Sequence, residues 1–366
     1  MQKILLFIAS LFYFNSLFAK DEIKSWQGIH ETPLSRLEQQ FAEPPVEFAN
    51  HVIWGWEGKM DKKTICNDLD SIKKKGFRAV IFEAGYKLPF KYLSEEWFKA
   101  IRTGVLEAKK RGMKVWIIDE GKYPSGFAGG KFSQERPDLR MQALVIGDTI
   151  QIKRGEVMTN HKIAPEIISA VAVSTSGAPN RTVAINNGEI SFNAGLDDWK
   201  ILLVKSDFRT AVTRAVNNPN GGKDATNSLC DYLNPVAVQQ FIDWTHEQYK
   251  KYLGKELGTT VLGFRGDEPD YAHLPWTPSI VQTFKDTKGY DPTPYLASFF
   301  TTSPTIQEQR VKADYWDVWS SLFATHFFKL QADWCAANGV AHITHLNKEH
   351  EMPACVKAEG DYFRNL

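Results

Sequence analysis

Gly266-Asp267-Glu268-Pro269 sets two carboxylates side by side, with a proline stiffening the backbone beyond them. Other apolar runs also end in acids: Glu57 follows Trp54-Gly55-Trp56, Glu83 follows Phe82, Asp119-Glu120 follows Ile118, and Glu349 lies just past His345. If these runs are parallel strands, their carboxyl ends gather at the sheet edge where α/β folds bind ligands. Carboxyls meeting there from separate strands can work as general acid and general base, because the more buried one keeps its proton and the more solvated one stays ionised. That is the equipment of a glycosidase. Glu268 is the leading catalytic candidate, with Glu120 and Glu349 beside it; Trp54, Trp56, Glu83, Tyr123, Asp267 and His345 are candidate sugar contacts. Trp54 and Trp56 lie two apart, so on a strand they share a face, where they either stack on a sugar or fill the core.

Other chemistries find less support. Tyr123-Pro124-Ser125-Gly126-Phe127-Ala128-Gly129-Gly130 has three glycines that allow positive φ and close backbone approach to something in the site. It is no phosphate loop: the GxGxxG spacing fails, and Phe132 follows Lys131 where Ser or Thr is required. His342 and His345 fall on opposite faces of a strand and HExxH is absent, so a metal-dependent hydrolase is a rival without a signature. Oxygen-ligated calcium leaves no sequence spacing to recognise. There is no GxSxG elbow. Cys66, Cys230, Cys335 and Cys355 show no CxxC spacing and read as buried thiols or at most one disulfide pair. Lys plus Arg total 44 against 43 Asp plus Glu, a balance that argues against nucleic-acid binding. The 11 tryptophans exceed what a core of this size requires, so some aromatic faces are expected to meet a ligand, for which sugar rings are natural.

The elements that must position these residues follow a pattern. Asp61 caps a helix with Ile65, Leu69 and Ile72 on its apolar side, and Lys73-Lys74-Lys75-Gly76 closes it. Ser94 caps the next, with Trp97, Ile101 and Val105 inward and Lys109-Lys110-Arg111-Gly112 at its end. Strands are expected at His51–Trp56, Phe77–Phe82, Val115–Ile118, Val261–Phe264 and Val340–Thr344, continuous apolar runs that suit a parallel sheet covered by helices. Residues 141–212 turn to β-branched runs with Ser, Asn and Gly turns and read as an inserted β-rich element. An Asn217–Thr226 loop leads to a helix capped at Asn234-Pro235. A long helix over Thr305–Asn338 carries Tyr315, Trp316, Trp319, Phe323, Phe327 and Trp334 at core-packing intervals.

Five strand-helix positions fall three short of a (β/α)8 TIM-like barrel. The acid-ended strands and the insertion favour that barrel, truncated at the C-terminus, over a five-stranded open sheet. Its first part would be 20–140 and its incomplete continuation 213–366. Residues 1–19 have the layout of a secretory signal peptide cleaved after Ala19, which predicts a secreted or periplasmic protein without a membrane span.

The segments Trp54-Gly55-Trp56, Gly112-Met113-Lys114-Val115-Trp116, the Tyr123–Gly130 loop and Asp267-Glu268-Pro269 together resemble the rhamnosidase-type glycoside hydrolases of family 106 and their bacterial relatives. The resemblance implies a (β/α)8 catalytic domain, inverting hydrolysis of terminal α-L-rhamnosides in an oligosaccharide or polysaccharide, two catalytic glutamates, and a calcium ion near the sugar hydroxyls. It carries Glu268 over directly. The second glutamate stays open among Glu349, Glu359 and Glu120, or lies beyond Leu366. No organic cofactor is expected. A glycan-binding barrel or inactive fragment is the alternative to an enzyme.

Overall fold

A computed structural model describes residues 33–43, 50–85, 87–121, 123–210, 228–269, 271 and 274–365; the expected leader 1–19 and the Asn217–Thr226 loop lie outside the described residues. The chain divides into two units, Met1–Asn50 and His51–Leu366. In the first, the described element is a helix, Leu34–Ala42. The second carries the sheets and all the candidate acids.

Its local structure follows the chemistry of single residues. The Asp61 carboxylate accepts the Thr64 N–H at 2.9 Å and starts the helix Lys62–Lys74, and Gly76 leaves it at a φ of +96°. Ser94 accepts the Trp97 N–H at 3.3 Å ahead of Glu95–Lys110, and Gly112 follows with a φ of +66°. Asn234 caps Pro235–Trp244 through the Val236 N–H. These caps fall where the sequence puts them.

Five strands, His51–Trp56, Ala79–Ala84, Lys114–Ile118, Val261–Asp267 and Ala341–His345, pair in that order and all in parallel. Sequential order without reversal is barrel winding, yet the strands are five and form a half-barrel. A closed eight-stranded barrel is not formed by the described residues. Three strands also reach further than expected. The second ends at Ala84, the fourth at Asp267 and the fifth at His345, so Glu83, Asp267 and His345 are strand residues with directions fixed by the pleat.

One face of this sheet is covered by helices. Trp56, Val80, Phe82, Val115, Ile117 and Phe264 pack there with Ile65, Trp97, Ile101 and Tyr249. Of the opposite alternation, Ile53 and Ile343 on the outer strands stay exposed, whereas Ile81 and Ile118 on the inner ones are buried. The segment between the third and fourth strands holds an antiparallel sheet in which Trp199–Phe208 lies between Gln142–Ile152 and Ile167–Ser174. Ala172, Trp199, Ile201 and Leu203 give it a core of its own.

The long aromatic helix is Ile306–Phe323 continued by Lys329–Ala337, with a π-helical turn at Ala324–Phe328 between them. Tyr315, Trp319, Phe323 and Phe327 are buried in the largest core, as their spacing predicts. All four cysteines are free thiols. No helix among the described residues is long and apolar enough to cross a membrane.

Candidate active site

Asp119 and Glu120 leave the third strand into the interior, at 0% and 2% exposure. The Glu120 oxygens accept four backbone N–H groups: Gly121 at 2.6 Å, Phe127 and Ala128 at 2.7 Å, and Gly129 at 2.9 Å. A carboxylate offers about four lone-pair positions, and here Gly121 takes one and the glycine loop the other three. Burial pushes this carboxyl up to about 7, against the pull of those N–H groups in the other direction. With no lone pair left to face a substrate, Glu120 is the clamp around which the loop is wound, which corrects its place among the acid/base candidates.

The loop's glycines serve the same end. At Gly126, with a φ of +112°, a Cβ would sit 2.5 Å from the Tyr232 ring. The close approach expected of this loop is therefore to Glu120 and Tyr232. Asp119 has one oxygen bonded to the Ser125 hydroxyl at 2.6 Å and the other buried without a partner. Burial raises it to about 8.

The ends of the fourth and fifth strands look different. Asp267 and His345 are register partners, so their side chains leave the sheet together. His345 Nδ1 lies 3.4 Å from Asp267 and 3.3 Å from Glu268, and its Nε2 lies 3.5 Å from Glu349. These separations are close polar contacts, longer than well-formed hydrogen bonds. All four side chains keep solvent access, from 22% at Asp267 and 25% at Glu268 to 45% at Glu349. Glu268 has a φ of +40°, and its N–H donates to the His345 carbonyl at 2.8 Å. Arg265, two residues before Asp267 and on the same face, contacts the Asp267 carboxylate at 3.2 Å. Period-two alternation through the longer fourth strand is the signal that would have found it.

The structure thus brings Asp267, Glu268, His345 and Glu349 together. The tryptophans go elsewhere. Trp56 is fully buried, its ring centroid 4.9 Å from Phe82 and 5.8 Å from Trp97, so it has no surface to offer a sugar. Trp54 is half-buried and packs at 5.4 Å on both Trp56 and Phe82, on the helix-covered side. Both are core residues, which corrects their place among the sugar contacts. Glu83 lies on the opposite face, where a Cβ on Gly55 would come within 3.5 Å of its carboxylate. Tyr123 is half-buried on the glycine loop. Glu359 is fully buried and accepts the Asn347 N–H at 2.8 Å, which holds the loop after the fifth strand.

His342 turns toward the helices, where burial lowers it to about 4, and it does not share a face with His345. Among the described residues no group of three or more His, Cys, Asp and Glu side chains is arranged to hold a metal ion. No step below runs through the calcium that the resemblance implies. An open apolar cavity of about 830 Å³ lies between the Ile306–Phe323 helix and the C-terminal helices; none of the four clustered residues lines it.

The family model described as alpha-L-rhamnosidase, glycoside hydrolase family 106, matches residues 162–359, more than half of the chain. The chain belongs to this family. Asp267-Glu268-Pro269, His345 and Glu349 fall inside the matched span, whereas Trp54-Gly55-Trp56 and the glycine loop precede it. A solved rhamnosidase from Novosphingobium sp. PP1Y superposes with a TM-score of 0.63 at 14% identity, over 86% of this chain and 47% of that one. At that identity the likeness is one of fold. A Formosa agariphila protein named "Putative beta-glucuronidase" is 23% identical over 360 residues, covering 84% of this chain and 30% of that protein. The family-106 chain therefore spans less than a third of this curated relative and about half of the solved rhamnosidase.

Proposed function

We propose that this family-106 chain hydrolyses a terminal α-L-rhamnosyl linkage with inversion, using Glu268 as general acid and Glu349 as general base. The observation that carries the reading is the meeting of these two carboxylates, from different strand ends, on the two nitrogens of His345. Glu268 is the more enclosed and suits the protonated role; Glu349 is the more solvated and suits the activation of water. His345 holds both acids in place from between them. Inversion follows from the family resemblance rather than from a measured carboxyl gap.

The charge of the site favours a neutral sugar over a uronic acid. Asp267 and Glu349 outnumber Arg265 in the cluster even with Glu268 protonated, and a glucuronate carboxylate entering there would meet like charge.

Turnover of two aryl α-L-rhamnopyranosides tests the assignment. Glu268→Gln should lose about 10²- to 10⁴-fold in kcat/KM on the phenyl glycoside, whose leaving group needs a proton, and much less on the dinitrophenyl glycoside, which leaves without one. Glu349→Gln should lose similarly on both. Full activity in Glu268→Gln would remove the acid role. Glycan binding with no turnover by the unaltered chain would instead favour the binding-protein reading. Proton NMR of the first-formed sugar should show the β-anomer.

A further inference from the structure

Glu268 holds a left-handed backbone conformation, at a φ of +40°, that a residue with a Cβ adopts only when its surroundings impose it. On one side the restraint is the bond from its own N–H to the His345 carbonyl at 2.8 Å. On the other side stands Ser125. The Asp267 N–H donates to Ser125 Oγ at 2.8 Å, and the Ser125 N–H donates back to the Asp267 carbonyl at 3.0 Å. Ser125 thus holds both backbone groups of the residue before Glu268.

The serine is itself fixed. Its hydroxyl donates to Asp119 at 2.6 Å, which leaves Oγ free to accept from Asp267, and its carbonyl accepts the Tyr232 hydroxyl. Ser125 and Asp119 are both fully buried. The directions agree along the chain from the Asp267 N–H through the Ser125 hydroxyl to the Asp119 carboxyl oxygen, so each bond polarises the next.

We propose that Ser125, seated on Asp119, is a positioning residue for Glu268: by fixing the peptide groups of Asp267 it sets the direction in which Glu268 presents its carboxyl. The proposal rests on the acid role given to Glu268 above. It gives the glycine loop a function, since the loop wound on Glu120 delivers Ser125 to the turn that bears the acid. A displacement of about 1 Å in a reacting group can cost roughly 10²-fold in rate.

Two readouts on the full chain test this. Ser125→Ala should lower kcat on phenyl α-L-rhamnopyranoside by about 10- to 100-fold with KM changed less than about threefold. It should also speed amide hydrogen exchange at Asp267 and Glu268 by about tenfold or more, because the Asp267 N–H has lost its acceptor. Ser125→Thr, which keeps the hydroxyl, should restore part of the rate. Faster exchange with unchanged kcat, while Glu268→Gln is inactive, would reduce Ser125 to a structural residue and leave Glu268 as the acid. Full activity in both Ser125→Ala and Glu268→Gln would overturn the acid role and this proposal with it. If Ser125→Ala does not fold, Asp119→Asn is read in its place: a loss in kcat of about three- to tenfold is expected, and no loss overturns the proposal.

Discussion

Two groups of acids stand at the same edge of one parallel sheet. Asp119 and Glu120, at the third strand, are withdrawn from solvent, and Glu120 is saturated by four backbone N–H groups. Asp267, Glu268 and Glu349, at the fourth and fifth, keep solvent access and meet His345 at 3.3–3.5 Å. Glu120 has spent its hydrogen-bonding capacity on the fold; the second group has capacity left for a substrate. What separates a structural carboxylate from a reactive one here is how many of its lone pairs the backbone has already taken.

Truncating one acid in each group should break the symmetry between them. Glu120→Ala strands the loop N–H groups in the interior and should cost on the order of 4 kcal/mol or more, since each unsatisfied buried group costs about 1–3 kcal/mol; a urea titration measures it. Glu268→Gln should leave that titration nearly unchanged while activity falls. Equal stability losses would erase the distinction.

A pH titration sharpens the contrast next. Burial raises Asp119 to about 8 and Asp231, a buried carboxyl that accepts the Thr277 and Tyr271 hydroxyls, to about 7, far above the ordinary carboxyl value of 3.8. Such groups contribute stability that is complete below the unfolded value and is lost as pH rises through the folded one. The unfolding free energy from urea titrations should therefore fall between about pH 4 and 8, by at most about 1.4 kcal/mol per pH unit for each group. Asp119→Asn should flatten part of that slope. The smallest effect belongs to His345→Gln, at a half-exposed position: stability should move by about 0.5 kcal/mol or less, while the rate falls because both glutamates lose their common neighbour. A large stability loss there would place His345 with the structural group.

Much of the frame was legible in advance because its causes are local. Asp61, Ser94 and Asn234 announce helix starts by side-chain chemistry alone, and Lys-Lys-Lys-Gly and Lys-Lys-Arg-Gly announce the ends. The aromatic intervals of the long helix identified core packing for the same reason at Tyr315, Trp319, Phe323 and Phe327, whereas Trp316 is exposed and lines the apolar cavity. Strand ends were less legible, since Glu83, Asp267 and His345 are polar residues held in strands by their neighbours' hydrogen bonds. The pairing of Trp54 and Trp56 on one face was readable, but which face meets the helices was not.

Residue types and spacing determined that acids close the strands, that the sheet is parallel and helix-covered, and that Asp267-Glu268-Pro269 is a turn rich in chemistry. Only the tertiary structure decided that Glu120 is a clamp, that the tryptophans are core, and that the glycine loop grips the acid's turn through Ser125. The reason is one of range: caps, breaks and periodicity act over a few residues. The partners of a buried carboxylate or a turn's peptide groups arrive instead from strands and loops far away in sequence, as Ser125 meets Asp267 across 142 positions.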